Sequence, residues 1–163
     1  MTKKQLGLEV RGWGLAVAVA VAGAGAPAPQ TQYTPQAGAT MPASIIDPYL
    51  AIQQDLASDK MDGVKASAGN IATAATALGA PAMKIDTAAL QLASAGDIED
   101  ARDKFGVLSE AIVAYKDGLH LKAGEGVKQA FCPMKLKPWL QKGDTISNPY
   151  YGSSMSTCGS FTQ

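Results

Sequence analysis

Four sulfur-bearing residues fall in two short stretches near the C-terminus. QAFCPMKLKPWL carries Cys132 and Met134, and SSMSTCGSF carries Met155 and Cys158; no other cysteine occurs in the chain. Cys132 and Met134 are two positions apart, so an extended strand projects both side chains to one face. Pro133 between them withholds a ladder donor, which suits a strand end or an edge. Met155 and Cys158 are three apart, and one helical turn or a tight loop puts both on one side. Brought together, the two pairs supply two thiolates and two thioethers, soft donors that select Cu(I) or Ag(I) over Mg or Ca. Zinc is less suited, because thioether is a poor partner for it and only His120 could complete a nitrogen–sulfur set.

A second chemistry is open to the same residues. Two cysteines in an exported chain pair readily. A Cys132–Cys158 disulfide would close a loop of about 27 residues and stabilise the fold by about 3.5 kcal/mol in the chain-entropy model. Met134 and Met155 would then be core filler. His120, just past a helix end, has a simpler use as a solvated residue or a C-terminal charge cap. Residue types alone leave metal site and disulfide both open.

Nothing else in the chain points to catalysis. It holds one histidine, and it has no phosphate-cradling glycine loop and no C-x-x-C-H haem attachment. The acidic residues lie at helix starts and on polar helix faces, where solvation accounts for them. The expectation is a protein that is not an enzyme. Lys and Arg balance Asp and Glu at 14 each, so no basic excess exists to neutralise phosphates, and nucleic-acid binding is not expected.

The N-terminus reads as an export signal. Lys3, Lys4 and Arg11 form a positive region, and Gly14 to Ala22 an apolar stretch too short to span a bilayer. Ala22-Gly23-Ala24 is a small-x-small cleavage site, giving a signal peptide over residues 1–24 and no membrane attachment after cleavage. Its removal leaves 11 positive against 13 negative side chains, mildly acidic. Residues 25–46, rich in Pro, Ala, Gly, Thr and Gln, read as a disordered linker. The folded domain is expected over residues 47–163.

Helical periodicity dominates the first part of that domain. Asp47 and Pro48 are suited to cap and start a helix that ends near Ser58. Met61, Val64, Ala68, Ile71, Ala75 and Leu78 step by three and four along a second helix, closed by Gly79 and Pro81. Asp86 is placed to cap a short third helix closed by Gly96. Asp97, Glu99 and Asp100 load the start of the longest helix. Its face Ile98, Ala101, Phe105, Leu108, Ile112, Tyr115 and Leu119 is bulky where that of the second helix is alanine-rich. This complementarity predicts a mainly α protein, a three- to four-helix up-and-down bundle. After Gly118 only Val127 to Cys132 reads as a strand, and the remaining 30 or so residues form a loop-rich cap. A tail so irregular is either functional or held by a crosslink or metal.

The tail also resembles a known family. CPM, WL, NPYYG, Met and then CG, as they stand here from Cys132 to Gly159, are similar to the signature of a bacterial exported domain family of unknown function. That family occurs alone and appended to periplasmic adaptors of copper and silver efflux systems. The resemblance spans some 110 residues, from about Tyr49 to the C-terminus. The matching positions are Cys132, Pro133, Met134, Trp139, Leu140, Asn148, Pro149, Tyr150, Tyr151, Gly152, Met155, Cys158 and Gly159. The KLKP segment between Met134 and Trp139 is shorter and more basic than the family pattern. The resemblance implies a periplasmic heavy-metal context, with Cu(I) or Ag(I) as the ion and a cation-efflux adaptor as the partner. It shifts the balance towards a metal site of Cys132, Met134, Met155 and Cys158, since a disulfide needs no methionine beside each cysteine. Trp139, Tyr150 and Tyr151 would shield such a site or pack the tail. Asn148 to Gly152 would form the turn that aims Met155 and Cys158 at Cys132.

Overall fold

The computed structural model describes Gln36 and residues 38–162. The expected signal peptide and the first part of the expected linker lie outside the described residues.

The chain forms four α-helices, α1 (Ala43–Ala57), α2 (Val64–Leu78), α3 (Met83–Ala93) and α4 (Ile98–Gly118), then three strands, β1 (Val127–Cys132), β2 (Lys137–Lys142) and β3 (Ser160–Phe161). Consecutive helices pack on one another, and α4 lies between α3 and β2. The strands make one antiparallel sheet in the order β2-β1-β3, with Cys132 opposite Lys137 and Phe131 opposite both Pro138 and Ser160. The expected mainly α bundle with a loop-rich cap is therefore corrected. The fold is α+β, because the C-terminal part is a sheet that supplies one wall of the core. Pro138 conceals β2 in the sequence, since proline within an apolar run argues against a strand. It is tolerated here because β2 is an edge strand.

The helix pairing also differs from expectation. The alanine-rich face of α2 packs against α1 and α3, and the bulky face of α4 is shared between α3 and the sheet. Phe105 of α4 stacks on Tyr49 of α1 at 5.0 Å between ring centroids. Gly106 lets the helix approach β2, where a Cβ would stand 3.4 Å from the Lys137 side chain.

Residues 39–46 do not behave as a linker. α1 begins at Ala43 with Pro42 in the cap position, and Pro48 lies inside it. The reason is packing: Ile45, Tyr49, Ile52 and Leu56 step by four, three and four, and all are fully buried. Met41 is buried as well, and its backbone is tied to Lys122 beyond α4. Asp86 is likewise one turn inside α3 rather than its cap. Asp97 does cap α4, its carboxylate accepting the Asp100 N–H at 2.9 Å. Among the described residues, no helix is long and apolar enough to cross a membrane.

Candidate functional site

Cys132 ends β1 and is fully buried, because the alternation of the strand turns it towards the core with Ala130. Cys158 lies two residues before β3 and is partly exposed. Pairing of β3 with β1 brings the two cysteines to 4.0 Å between sulfurs, both as free thiols. An S–S bond is about 2.0 Å long, so the two sulfurs are in contact without being joined.

Asn148 organises this pair. Its side-chain amide, fully buried, donates to Cys132 Sγ at 3.4 Å and to the Cys158 carbonyl, while its Oδ1 accepts the Tyr150 N–H at 2.7 Å. The Asn148 N–H donates to the Ser156 carbonyl, and Asn148's own carbonyl accepts from Gly152. Residues 148–156 are thus folded into a closed loop that delivers Cys158 to β1.

The two thiols have unlike environments. Burial pushes Cys132 up, but the backbone N–H of Lys135, the Asn148 amide, the backbone N–H of Met134 and the Cys158 thiol outweigh it. The net effect holds Cys132 below the ordinary thiol value. Cys158 is pushed up, first by desolvation and then by its hydrogen bond to Cys132 and the charge that Cys132 carries. Of the two, the buried sulfur is the one whose surroundings favour the thiolate.

The methionines are placed differently from the cysteines. β1 stops at Cys132, so the same-face argument ends there and Met134 turns outward, 65% exposed. Met155 closes the 3-10 turn Gly152–Met155 and is 37% exposed; its carbonyl accepts the Cys158 N–H. Both thioethers flank the thiol pair in sequence and neither is packed away. His120 is remote from this end. The turn after β1 is pinned to α4 through Lys135 and Asp103 at 2.6 Å, and His120 follows the far end of that helix, about 25 Å away at 1.5 Å per residue. Among the described residues, no three His, Cys, Asp or Glu side chains form a cluster suited to a metal ion.

The aromatic residues pack the tail. Trp139 is fully buried, meets Tyr150 edge-on at 5.9 Å, and donates to Gln141 Oε1 at 2.9 Å. The Tyr150 hydroxyl donates to the Pro138 carbonyl, and burial raises its pKa far above the ordinary range. Tyr151 is half-buried, with the Lys135 ammonium 6.0 Å from its ring centroid. Two glycines are required by close approach. Gly159 has φ +136°, and a Cβ there would lie 2.6 Å from Trp139 Cη2 and 2.9 Å from the Phe131 carbonyl. Gly152 has φ +53°, and a Cβ would collide with Asp59 and Arg102.

Several residues that hold the site gave no recognisable signal in the sequence. Arg102, mostly buried, donates to the Leu56 and Pro149 carbonyls and pairs with Asp59, which also accepts the Ser153 N–H. Gln53 of α1 donates to the Ser147 carbonyl at 2.8 Å. Gln141 accepts the Ser147 N–H and donates to the Thr145 carbonyl. The Tyr49 hydroxyl bonds Ser109 at 2.7 Å and accepts the Leu140 N–H of the edge strand, joining α1, α4 and β2. Gln53, Gln141 and Asn148 are all buried polar residues, each with a partner in the 145–158 segment. Their common feature is an amide, which can donate and accept at once. The tail, expected to be held by a crosslink or metal, is thus fastened by polar contacts from helices and sheet.

No family model matches the chain, and no curated protein or solved structure matches it.

Proposed function

We propose that the protein is an exported, periplasmic binder of a soft monovalent ion, Cu(I) or Ag(I), which it buffers or delivers to a cation-efflux adaptor. The observation that carries this reading is the contact of two unjoined thiols at 4.0 Å, one buried and surrounded by hydrogen-bond donors. Such donors stabilise a thiolate, the form of cysteine that ligates metals. Cys132 and Cys158 are the primary ligands in this reading. Met134 and Met155, carried on the exposed turns beside them, supply the thioethers, and a soft donor set of this kind favours Cu(I) over hard cations. Trp139 and Tyr150 are buried in the same core cluster as Cys132. The ion is cargo and no reaction is catalysed.

The alternative is a domain stapled by a Cys132–Cys158 disulfide that docks on an envelope partner. The polar contacts from Arg102, Gln53, Gln141 and Asn148 already fasten the tail, which weakens the case for a purely structural bond. A free-thiol count on protein purified without reductant, followed by Cu(I) competition against a weak chromogenic chelator after reduction, separates the two. The metal reading expects two titratable thiols and withdrawal of one Cu(I) per chain. A reduced chain that takes no Cu(I) from the chelator ends it.

A further inference from the structure

We infer that the Cys132–Cys158 pair is also a thiol–disulfide exchange centre, at which an external low-molecular-weight thiol or disulfide reacts at Cys158 and Cys132 serves as the internal nucleophile and leaving group. This activity belongs to the metal-free pair and does not depend on the soft-metal reading.

The asymmetry of the site assigns the two roles. Cys132 is fully buried at the end of β1, so an incoming sulfur cannot reach it. Cys158 is partly exposed, and the five residues before it, Ser153 to Thr157, are all exposed, so the approach is open on that side. Thiol–disulfide exchange requires access to the sulfur attacked and a sulfur able to depart with negative charge. The Asn148 amide donates to the buried sulfur at 3.4 Å. Cys158 is held instead through its backbone, with its N–H on Met155 and its carbonyl on Asn148. Closing the pair from 4.0 Å to a bond of about 2.0 Å requires a shift that the exposed loop before Cys158 can supply more readily than the central strand β1.

The steps balance. With the pair oxidised, an external thiolate attacks Cys158 Sγ; a new S–S bond forms to it, and the Sγ–Sγ bond breaks with its electron pair leaving on Cys132. A second external thiolate attacks the external sulfur of the mixed disulfide, releasing Cys158 as thiolate. Two external thiols become one disulfide, and the protein disulfide becomes a dithiol. The reverse runs by the same positions: Cys158 attacks a small disulfide, and Cys132 then attacks Cys158 Sγ and expels the second small thiol. The Asn148 amide, 3.4 Å from Cys132 Sγ, is placed to receive the charge on the departing sulfur, which makes the bond exchangeable rather than a permanent staple.

The test uses metal-free protein, glutathione disulfide to oxidise the pair and glutathione to reduce it, with acid quenching and peptide mapping by mass spectrometry. The mixed disulfide is expected on Cys158 in at least tenfold excess over Cys132. Cys132→Ser should accumulate the Cys158–glutathione adduct. In reduced single-cysteine variants, iodoacetamide should modify Cys158 in Cys132→Ser at least tenfold faster than Cys132 in Cys158→Ser. Adducts on Cys132, equal reactivity of the two, failure of glutathione disulfide to close the pair, or a closed pair that resists glutathione would each overturn the inference. Any of these leaves Cu(I) competition by the reduced chain unaffected, so failure here and failure of the metal reading are told apart.

Discussion

Asn148 Nδ2 stands 3.4 Å from Cys132 Sγ, inside the core, with both groups shut off from water. The same side chain also receives the Tyr150 N–H and holds the Cys158 carbonyl. One amide therefore sets the charge of one cysteine and the position of the other. Replacing it by alanine leaves a buried N–H and a partly buried carbonyl without partners, at about 1–3 kcal/mol each. Asn148→Ala should lower the denaturation midpoint accordingly. Asn148→Asp, which keeps the Tyr150 contact but sets a carboxylate against the sulfur, should raise the Cys132 pKa in a thiolate-absorbance titration.

The thiol titration has a defined sign. In Cys158→Ser, Cys132 should still ionise below the ordinary thiol range, because the Lys135 and Met134 N–H groups and Asn148 remain. A folded pKa depressed in this way contributes stability that is full above the unfolded value and lost as pH falls through the folded one. Stability of this variant measured by urea unfolding should therefore rise with pH across that window relative to Cys132→Ser. A flat difference between the variants would contradict the assignment.

Met134→Leu and Met155→Leu test the thioethers. Both side chains are substantially exposed, so each change should alter folding stability by under about 0.5 kcal/mol. If the sulfurs are ligands, each variant should lose Cu(I) to a competing chelator at several-fold lower chelator concentration. A stability loss with unchanged Cu(I) affinity would count against their role.

Gly159→Ala should damage the tail from a distance. The added Cβ meets the Trp139 ring and the β1 backbone at φ +136°, and neither can move without disturbing the sheet. A cost of about 2–4 kcal/mol is expected from overpacking and backbone strain together. Loss of the Trp139 near-UV circular dichroism signal, alongside a lower midpoint, would report it.

Arg102→Lys asks whether the guanidinium fork matters. Arg102 reaches the C-terminal carbonyl region of α1, Asp59 and the Pro149 carbonyl at once, which a single ammonium cannot do. The variant should lose about 1–2 kcal/mol, and Cys158 should be alkylated faster as its loop loosens. Equal alkylation rates would show that the loop is held without Arg102.

Much of the helical part was legible because helix periodicity is local. The faces of α2 and α4, the Gly79 stop and the acidic start of α4 are each set by residues within a turn or two of one another. The start of α1 was not, since Asp47 and Pro48 read locally as a cap and first position and the stretch before them as a linker, while burial of Ile45 and Met41 carries the helix further back. β2 was hidden for a similar reason, as Pro138 is acceptable only once the strand is known to lie at an edge.

At the candidate site the division is the same. Residue types limited the chemistry open to it: two cysteines, each with a methionine close by, and a turn-forming Asn-Pro-Tyr-Tyr-Gly stretch between them. Only the tertiary structure decided the geometry. It joined residues 26 positions apart through sheet pairing, buried one thiol and exposed the other, and turned both thioethers outward. It also recruited Asn148, Gln141, Gln53 and Arg102 as the tie. Spacing along the chain restricts which side chains can share a face. Which groups lose water, and which hydrogen bonds they must then find, depends on the elements that pack around them.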